Sequence, residues 1–120
     1  KCDVCSKKSI KINFEKIIKK EKKIDVLIYN VYSKPINYYQ KFEQYNLKTW
    51  EKVMKTNLTG AFLCSQIFGN TMLKNENGGV ILNISSDLGV IAPDQRIYKK
   101  KNLLDNLYIN DNGKSIFLFL

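Results

Sequence analysis

Three pairs of residues in this chain stand where polar groups could meet a ligand. Asp3 and Val4 lie in the opening CDVC, Asn30 and Val31 close the apolar run IDVLIYN, and Ser85 and Ser86 close the run GVILNIS. If each run is a strand of an open α/β sheet, the three ends line one crevice, because ligands in such sheets bind outside the carboxyl ends of the strands. A lone asparagine or serine at a strand end is usually a turn former, yet three such ends at corresponding places favour a site. A fourth candidate is Tyr98, followed by Lys99, Lys100 and Lys101. A helix sets residues i and i+4 on one face, where a lysine would favour a neighbouring tyrosinate. Position i+4 here is Asn102, and Lys101 at i+3 reaches the same face with a different geometry.

Cys2 and Cys5 have redox or metal spacing ahead of a helix, whose N-terminal dipole would lower a thiol pKa. A closed zinc site needs four ligands, however, and only Cys64 could join them, with no histidine in the chain. We therefore expect no metal. The absence of histidine also excludes His-based catalytic triads.

The elements that must position these residues can be read from periodicity. Residues 6 to 22 set Ile10, Phe14, Ile17 and Ile18 at helical spacing with lysines on the other face, and Ser6 or Ser9 is available as N-cap. IDVLIYN, residues 24 to 30, is short and almost continuously apolar, which predicts a parallel strand buried on both faces. After a polar, aromatic-rich loop over 31 to 46, the residues Trp50, Val53, Met54, Leu58, Phe62, Ile67 and Phe68 approximate one wide face of a helix from about Leu47 to about Leu73. Residues 75 to 79 read as a turn and GVILNIS as a second buried strand. Helix, strand, helix, strand is the order of a doubly wound α/β fold. Beyond Gly89 the pattern weakens: IAPDQRIYKKK is loop-like, NLLDNL reads as a helical turn or two, and NDNG is a turn before SIFLFL.

With 120 residues the chain has the size of one domain, and its start at Lys1 rather than at a methionine leads us to expect a fragment or a trimmed product. The net charge is +9, and all but one of the 20 basic residues are lysine, Arg96 being the exception. Phosphate neutralisation makes nucleic acid one reading of this balance. The lysines are spread along helical stretches beside glutamates, so a solvated basic surface is preferred. Three cysteines, no secretory start and no apolar run of about 20 residues point to a cytoplasmic setting without a membrane span.

Four pieces in register resemble the central part of a short-chain dehydrogenase/reductase: CDV, KIDVLIYN, TWEKVMKTNLTGAFLCSQ and GGVILNISSDLG, together covering roughly residues 1 to 90. The resemblance implies a partial Rossmann-like doubly wound parallel sheet, truncated at both ends, forming one incomplete domain over residues 1 to 120 with a divergent loop and tail over 91 to 120. It implies that NAD or NADP is the cofactor and that the substrate is a small carbonyl or alcohol, such as a sugar derivative. By resemblance CDV ends the third strand, Asp3 bonds the adenine amino group with Val4 beside it, and Asn30 matches the second asparagine of the family's Asn-Asn-Ala-Gly motif, with Val31 following. Tyr29, Val31 and Tyr32 replace Asn, Ala and Gly of that motif, a departure that bears on how closely the backbone approaches the cofactor. Asn57, seven residues after Trp50, matches the active-site asparagine that interrupts the helix and holds a water in the proton relay. Ser86 matches the serine that polarises the substrate oxygen.

The family's glycine-rich phosphate turn would precede Lys1. Its Tyr-x-x-x-Lys pair should follow Ser86 by about a dozen residues, and Tyr98 stands twelve residues on without the lysine. The other reading places IAPDQRIYKKKN in a longer loop, as in bacterial relatives associated with flagellin modification and surface sugars, with the true tyrosine downstream. The expectation is a fragment of an NAD(P)-dependent oxidoreductase, inactive by itself, from a family whose intact members are homo-oligomeric. Two alternatives remain open, a noncatalytic remnant that binds a partner through its long helix and a basic nucleic-acid-binding module.

Overall fold

The computed structural model describes residues 1–38 and 42–86, with the backbone alone at Phe42. Tyr98, the IAPDQRIYKKK loop, the NDNG turn and SIFLFL lie outside the described residues.

Helix α1 spans Lys7–Glu21. Ser6 is its N-cap, accepting the Ser9 N–H in its side chain at 3.2 Å, which satisfies one of the donors a helix start leaves unpaired. Lys19 and Lys20 stand in the last turn, where the helix dipole favours cations, and Lys22 closes the helix with a positive φ of 69°. Ile10 points inward and is 1% exposed, whereas Ile12 and Ile17 are about two-fifths exposed.

Strand β1, Val26–Tyr29, pairs in parallel with β2, Val80–Asn83, in the register Leu27↔Ile81 and Tyr29↔Asn83. Both strands are shorter than the apolar runs that announced them. Among its described residues the connection contains a 3₁₀ turn, Phe42–Gln44, and a long helical segment in three parts. These are α2, Leu47–Met54, a π-helical turn, Lys55–Thr59, and α3, Gly60–Met72. Asn46 caps α2 by accepting the Lys48 N–H at 2.8 Å. The turn before β2 depends on Gly78, at φ 67°, and on Asn75, whose Nδ2 donates to the Gly78 carbonyl at 3.1 Å and to the Ile24 carbonyl at 2.8 Å. That second bond fixes the approach to β1 against the approach to β2.

Helices α1 and α3 lie on one face of the sheet. Ile10, Tyr29 and Cys64 form the core with Val4, Leu27, Ala61, Leu63, Ile67 and Phe68 packed around them, and Phe14 meets Phe68 edge to face with ring centroids 5.3 Å apart. Successive strand residues point to opposite faces. Leu27, Tyr29 and Ile81 therefore turn toward the helices while Val26, Ile28, Val80 and Leu82 turn away and are exposed. Burial of both faces, expected from the apolar runs, is not found. Among the described residues no second layer covers that face.

Two other expectations differ from the structure. CDV forms no strand among the described residues: the Asp3 N–H goes to Ser9 Oγ at 2.9 Å and the Asp3 carbonyl accepts from the Ser6 N–H at 3.2 Å, which makes a turn into α1. The long helix carries five residues of π geometry near its middle, around the Asn57 at which the resemblance implied an interruption. Its buried seam is Thr49, Val53, Thr56, Gly60, Cys64 and Met72, whereas Leu58 and Phe62 are about three-fifths exposed. Small residues line this seam because the helix lies close on the sheet. A Cβ at Gly60 would run into the Tyr29 hydroxyl and come within 3.3 Å of Val4.

Candidate functional site

The π-helical turn gathers the elements that carry the candidate residues. In an α-helix the Gly60 N–H would bond to the Thr56 carbonyl, four residues back. Here it bonds to the Lys55 carbonyl, five residues back. The Thr56 carbonyl accepts the Tyr29 hydroxyl from β1. The Thr56 hydroxyl donates to the Lys52 carbonyl at 3.1 Å, so at its 3.2 Å contact with Cys5 Sγ the thiol is the donor. Thr56 is thus joined to β1 and to the turn that precedes α1.

The next residue, Asn57, reaches the loop beyond β1. Its Oδ1 accepts the Ser33 N–H at 2.8 Å in a half-buried bond. Turns of this kind inside α-helices are frequent at functional sites, where they redirect one or two side chains. The β1 strand and its loop are therefore held to the helix at two points, Tyr29 to Thr56 and Ser33 to Asn57.

Asp3 is fixed by its neighbours. Its Oδ1 accepts the Cys5 N–H at 2.9 Å while its main chain is held by Ser9 and Ser6, and the carboxylate is exposed. Among the described residues Oδ2 has no hydrogen-bond partner and can accept from a ligand. Val4 packs against the core beside Gly60. Asn30 and Val31 follow β1 and are exposed, at the edge to which Asn57 is tied. The parallel register carries Ser85 and Ser86 past Asn83 to that same edge, and the Ile84 N–H continues the ladder onto the Tyr29 carbonyl at 2.9 Å. Ser86 is exposed and hydrogen-bonded or otherwise engaged. Asp3, Val4, Asn30, Val31, Asn57 and Ser86 thus come from four segments that converge on the carboxyl edge. Tyr98 lies outside the described residues.

Tyr29 is buried, and burial pushes its hydroxyl up to about 12, with smaller contributions from the Cys64 and Cys5 sulfurs. It stays protonated and donates. Burial also raises the Cys64 thiol, with Cys2 adding to the effect. Among the described residues no cluster of His, Cys, Asp or Glu could hold a metal ion, and no helix is long and apolar enough to cross a membrane. An open groove of about 280 Å³ lies between α3 and the start of β2, lined by Gln66, Gly69, Met72, Gly79 and Ile81 among others. It contains none of the candidate residues.

Periodicity did not reveal Tyr29, Thr56, Gly60 or Ser33 as parts of this arrangement. Gly60, four residues after Thr56 and inside a helical pattern, was the available signal for a close approach. Ser33 contributes only its main chain, which no sequence signal marks.

Comparison with known proteins settles the family. The family model described as short chain dehydrogenase matches residues 1–98. The chain belongs to this family. Over 95 residues this short-chain dehydrogenase chain is 35% identical to the NAD-dependent glycerol dehydrogenase of Listeria innocua serovar 6a, covering 79% of this chain and 36% of that protein. It is 30% identical over 96 residues to the D-threitol dehydrogenase of Mycolicibacterium smegmatis, covering 80% of this chain and 35% of that protein. The crystal structure of an NAD+-bound xylitol dehydrogenase superposes with a TM-score of 0.69 at 27% identity, over 77% of this chain and 34% of that one. The chain spans about a third of the length of the relatives it matches. The fold is the family's α/β Rossmann type, of which the described residues form a two-stranded parallel part with its helices.

Proposed function

We propose that this chain is part of an NAD(P)-dependent oxidoreductase that moves a hydride between the cofactor and a carbonyl or alcohol on a small polyol or sugar-like substrate. The observation that supports it best is the π-helical turn at Asn57, which brings the helix, the β1 loop and the Asp3 turn to one edge of the sheet. NAD or NADP supplies or accepts the hydride when bound. The donor set suits it. Asp3 Oδ2 would accept from the adenine amino group with Val4 beside it, and Asn30 and Val31 would border the nucleotide. Tyr29, the bulkiest departure from the family's motif next to Asn30, turns into the core and so leaves the edge open, while Tyr32 is 73% exposed. Ser86 donates its hydroxyl to the substrate oxygen, which polarises the carbon that exchanges hydride. Asn57, with Oδ1 committed to Ser33, holds a relay water through its amide nitrogen or the loosened main chain of the π turn.

The 120 residues form one incomplete domain in this reading. They contain neither a glycine-rich phosphate turn nor a Tyr-x-x-x-Lys pair, so the chain binds cofactor weakly and does not turn over alone. A second reading, an interaction module working through the helix, is favoured by the exposure of Leu58 and Phe62 on one side of it. Nicotinamide fluorescence during titration with NADH and NADPH separates the two. The oxidoreductase reading expects an enhancement with a Kd on the order of millimolar, weakened several-fold by Asp3→Ala. Unchanged fluorescence at millimolar concentrations would sink it.

A further inference from the structure

The Tyr29 hydroxyl is the only donor that the described residues show at the Thr56 carbonyl from outside the helix. Gly60 has turned its N–H to Lys55 instead, and the absence of a Cβ on Gly60 leaves the space that the hydroxyl occupies. These three residues fit one another. A side chain of tyrosine length on β1 reaches the helix, a carbonyl displaced from α-helical pairing receives it, and a glycine makes room. Asn57 is the next residue of this turn, and its Oδ1 meets the Ser33 N–H. We propose that Tyr29 is a positioning residue for Asn57: by donating to the Thr56 carbonyl it holds the helix in the π register that directs Asn57 to the β1 loop. The importance of this for catalysis rests on the role proposed above for Asn57, but the mechanical link does not.

Burial disfavours the tyrosinate, so the hydroxyl remains a donor throughout the neutral range. The Cys5 thiol on Thr56 Oγ1 holds the same residue from the other side, which leaves Tyr29 to fix the main chain.

Amide hydrogen exchange on the full chain tests the link without any cofactor. The readout is the exchange rate of the Ser33 amide relative to that of Val80, whose N–H donates to the Asp25 carbonyl at the far end of the sheet at 2.8 Å. Tyr29→Phe keeps the ring and removes the donor. It should speed Ser33 exchange about tenfold while leaving Val80 within about twofold. Gly60→Ala keeps the hydroxyl but pushes it off the carbonyl, and should move the ratio the same way; it carries the test if the phenylalanine variant does not fold. Ile18→Val, at a half-buried position of α1 outside the Ile10, Tyr29 and Cys64 core, should leave the ratio unchanged. A Tyr29→Phe or Gly60→Ala protein with the ratio of the parent would overturn the proposal. So would a ratio that Ile18→Val shifts equally. Loss of cofactor binding with the ratio behaving as expected would instead count against the functional reading alone.

Discussion

The Ser33 N–H donates to Asn57 Oδ1 at 2.8 Å across 24 positions of sequence, joining the loop beyond β1 to the π-helical turn. Both groups are set by their own elements: Ser33 follows a strand whose register is fixed by β2, and Asn57 is presented where the helix departs from α geometry. The bond therefore reports whether the two elements are correctly placed. Asn57→Ala removes the acceptor and leaves a half-buried N–H to water. It should cost about 1 kcal/mol, seen as a lower denaturation midpoint with an unchanged slope, and Asn57→Asp, which keeps an acceptor, should cost less.

Gly60→Ala sets two effects against each other. In a free helix alanine is favoured over glycine by about 1 kcal/mol. Here the added Cβ meets the Tyr29 hydroxyl and lies 3.3 Å from both the Val4 Cγ2 and the Val4 carbonyl, and overpacking of this kind typically costs about 1–3 kcal/mol. The backbone carbonyl and the strand cannot both yield, so the net change should be destabilising. Gly69→Ala provides the contrast, since its Cβ meets only the end of the Ile81 side chain at 3.2 Å. Urea denaturation of the two variants should place Gly60→Ala clearly below Gly69→Ala.

Tyr29 makes stability fall at alkaline pH. Its folded-state value is pushed from the ordinary 10.0 up to about 12, so the folded state holds the proton more tightly than the unfolded chain. The contribution is fully present below pH 10 and is lost as pH rises from 10 to 12, amounting to about 2–3 kcal/mol at most. Cys64, raised in the same direction from 9.0, starts the decline earlier. Denaturation midpoints measured between pH 8 and pH 12 should fall steeply above 10, and Tyr29→Phe should flatten that part of the curve.

Much of this architecture was legible in the residues. Ser6 and the Ile10, Phe14, Ile18 spacing gave α1 nearly to the residue, because capping and amphipathicity are local. The two apolar runs gave two strands and their parallel order. The runs did not give burial, since Val26, Ile28, Val80 and Leu82 face a side that no described layer covers, and burial is decided by what packs on a strand rather than by the strand. The π turn was invisible to periodicity, and the buried seam, Thr49, Val53, Thr56, Gly60 and Cys64, was passed over for Leu58 and Phe62 because its residues are mostly small or polar. Only the family resemblance implied a break at Asn57. The match of Asp3 to a strand end missed the hydroxyl of Ser9, which takes the N–H that a neighbouring strand would need.

In the proposed function the carboxyl edge, and not the groove beside α3, receives a nicotinamide dinucleotide. Amide chemical-shift mapping of the full chain during titration with NADH tests it most directly. Saturable shifts are expected at Asp3, Val4, Asn30, Val31, Asn57 and Ser86, with Gly69 and Gly79 unmoved. Shifts confined to Gly69, Gly79 and their neighbours, or none at millimolar NADH, would contradict it.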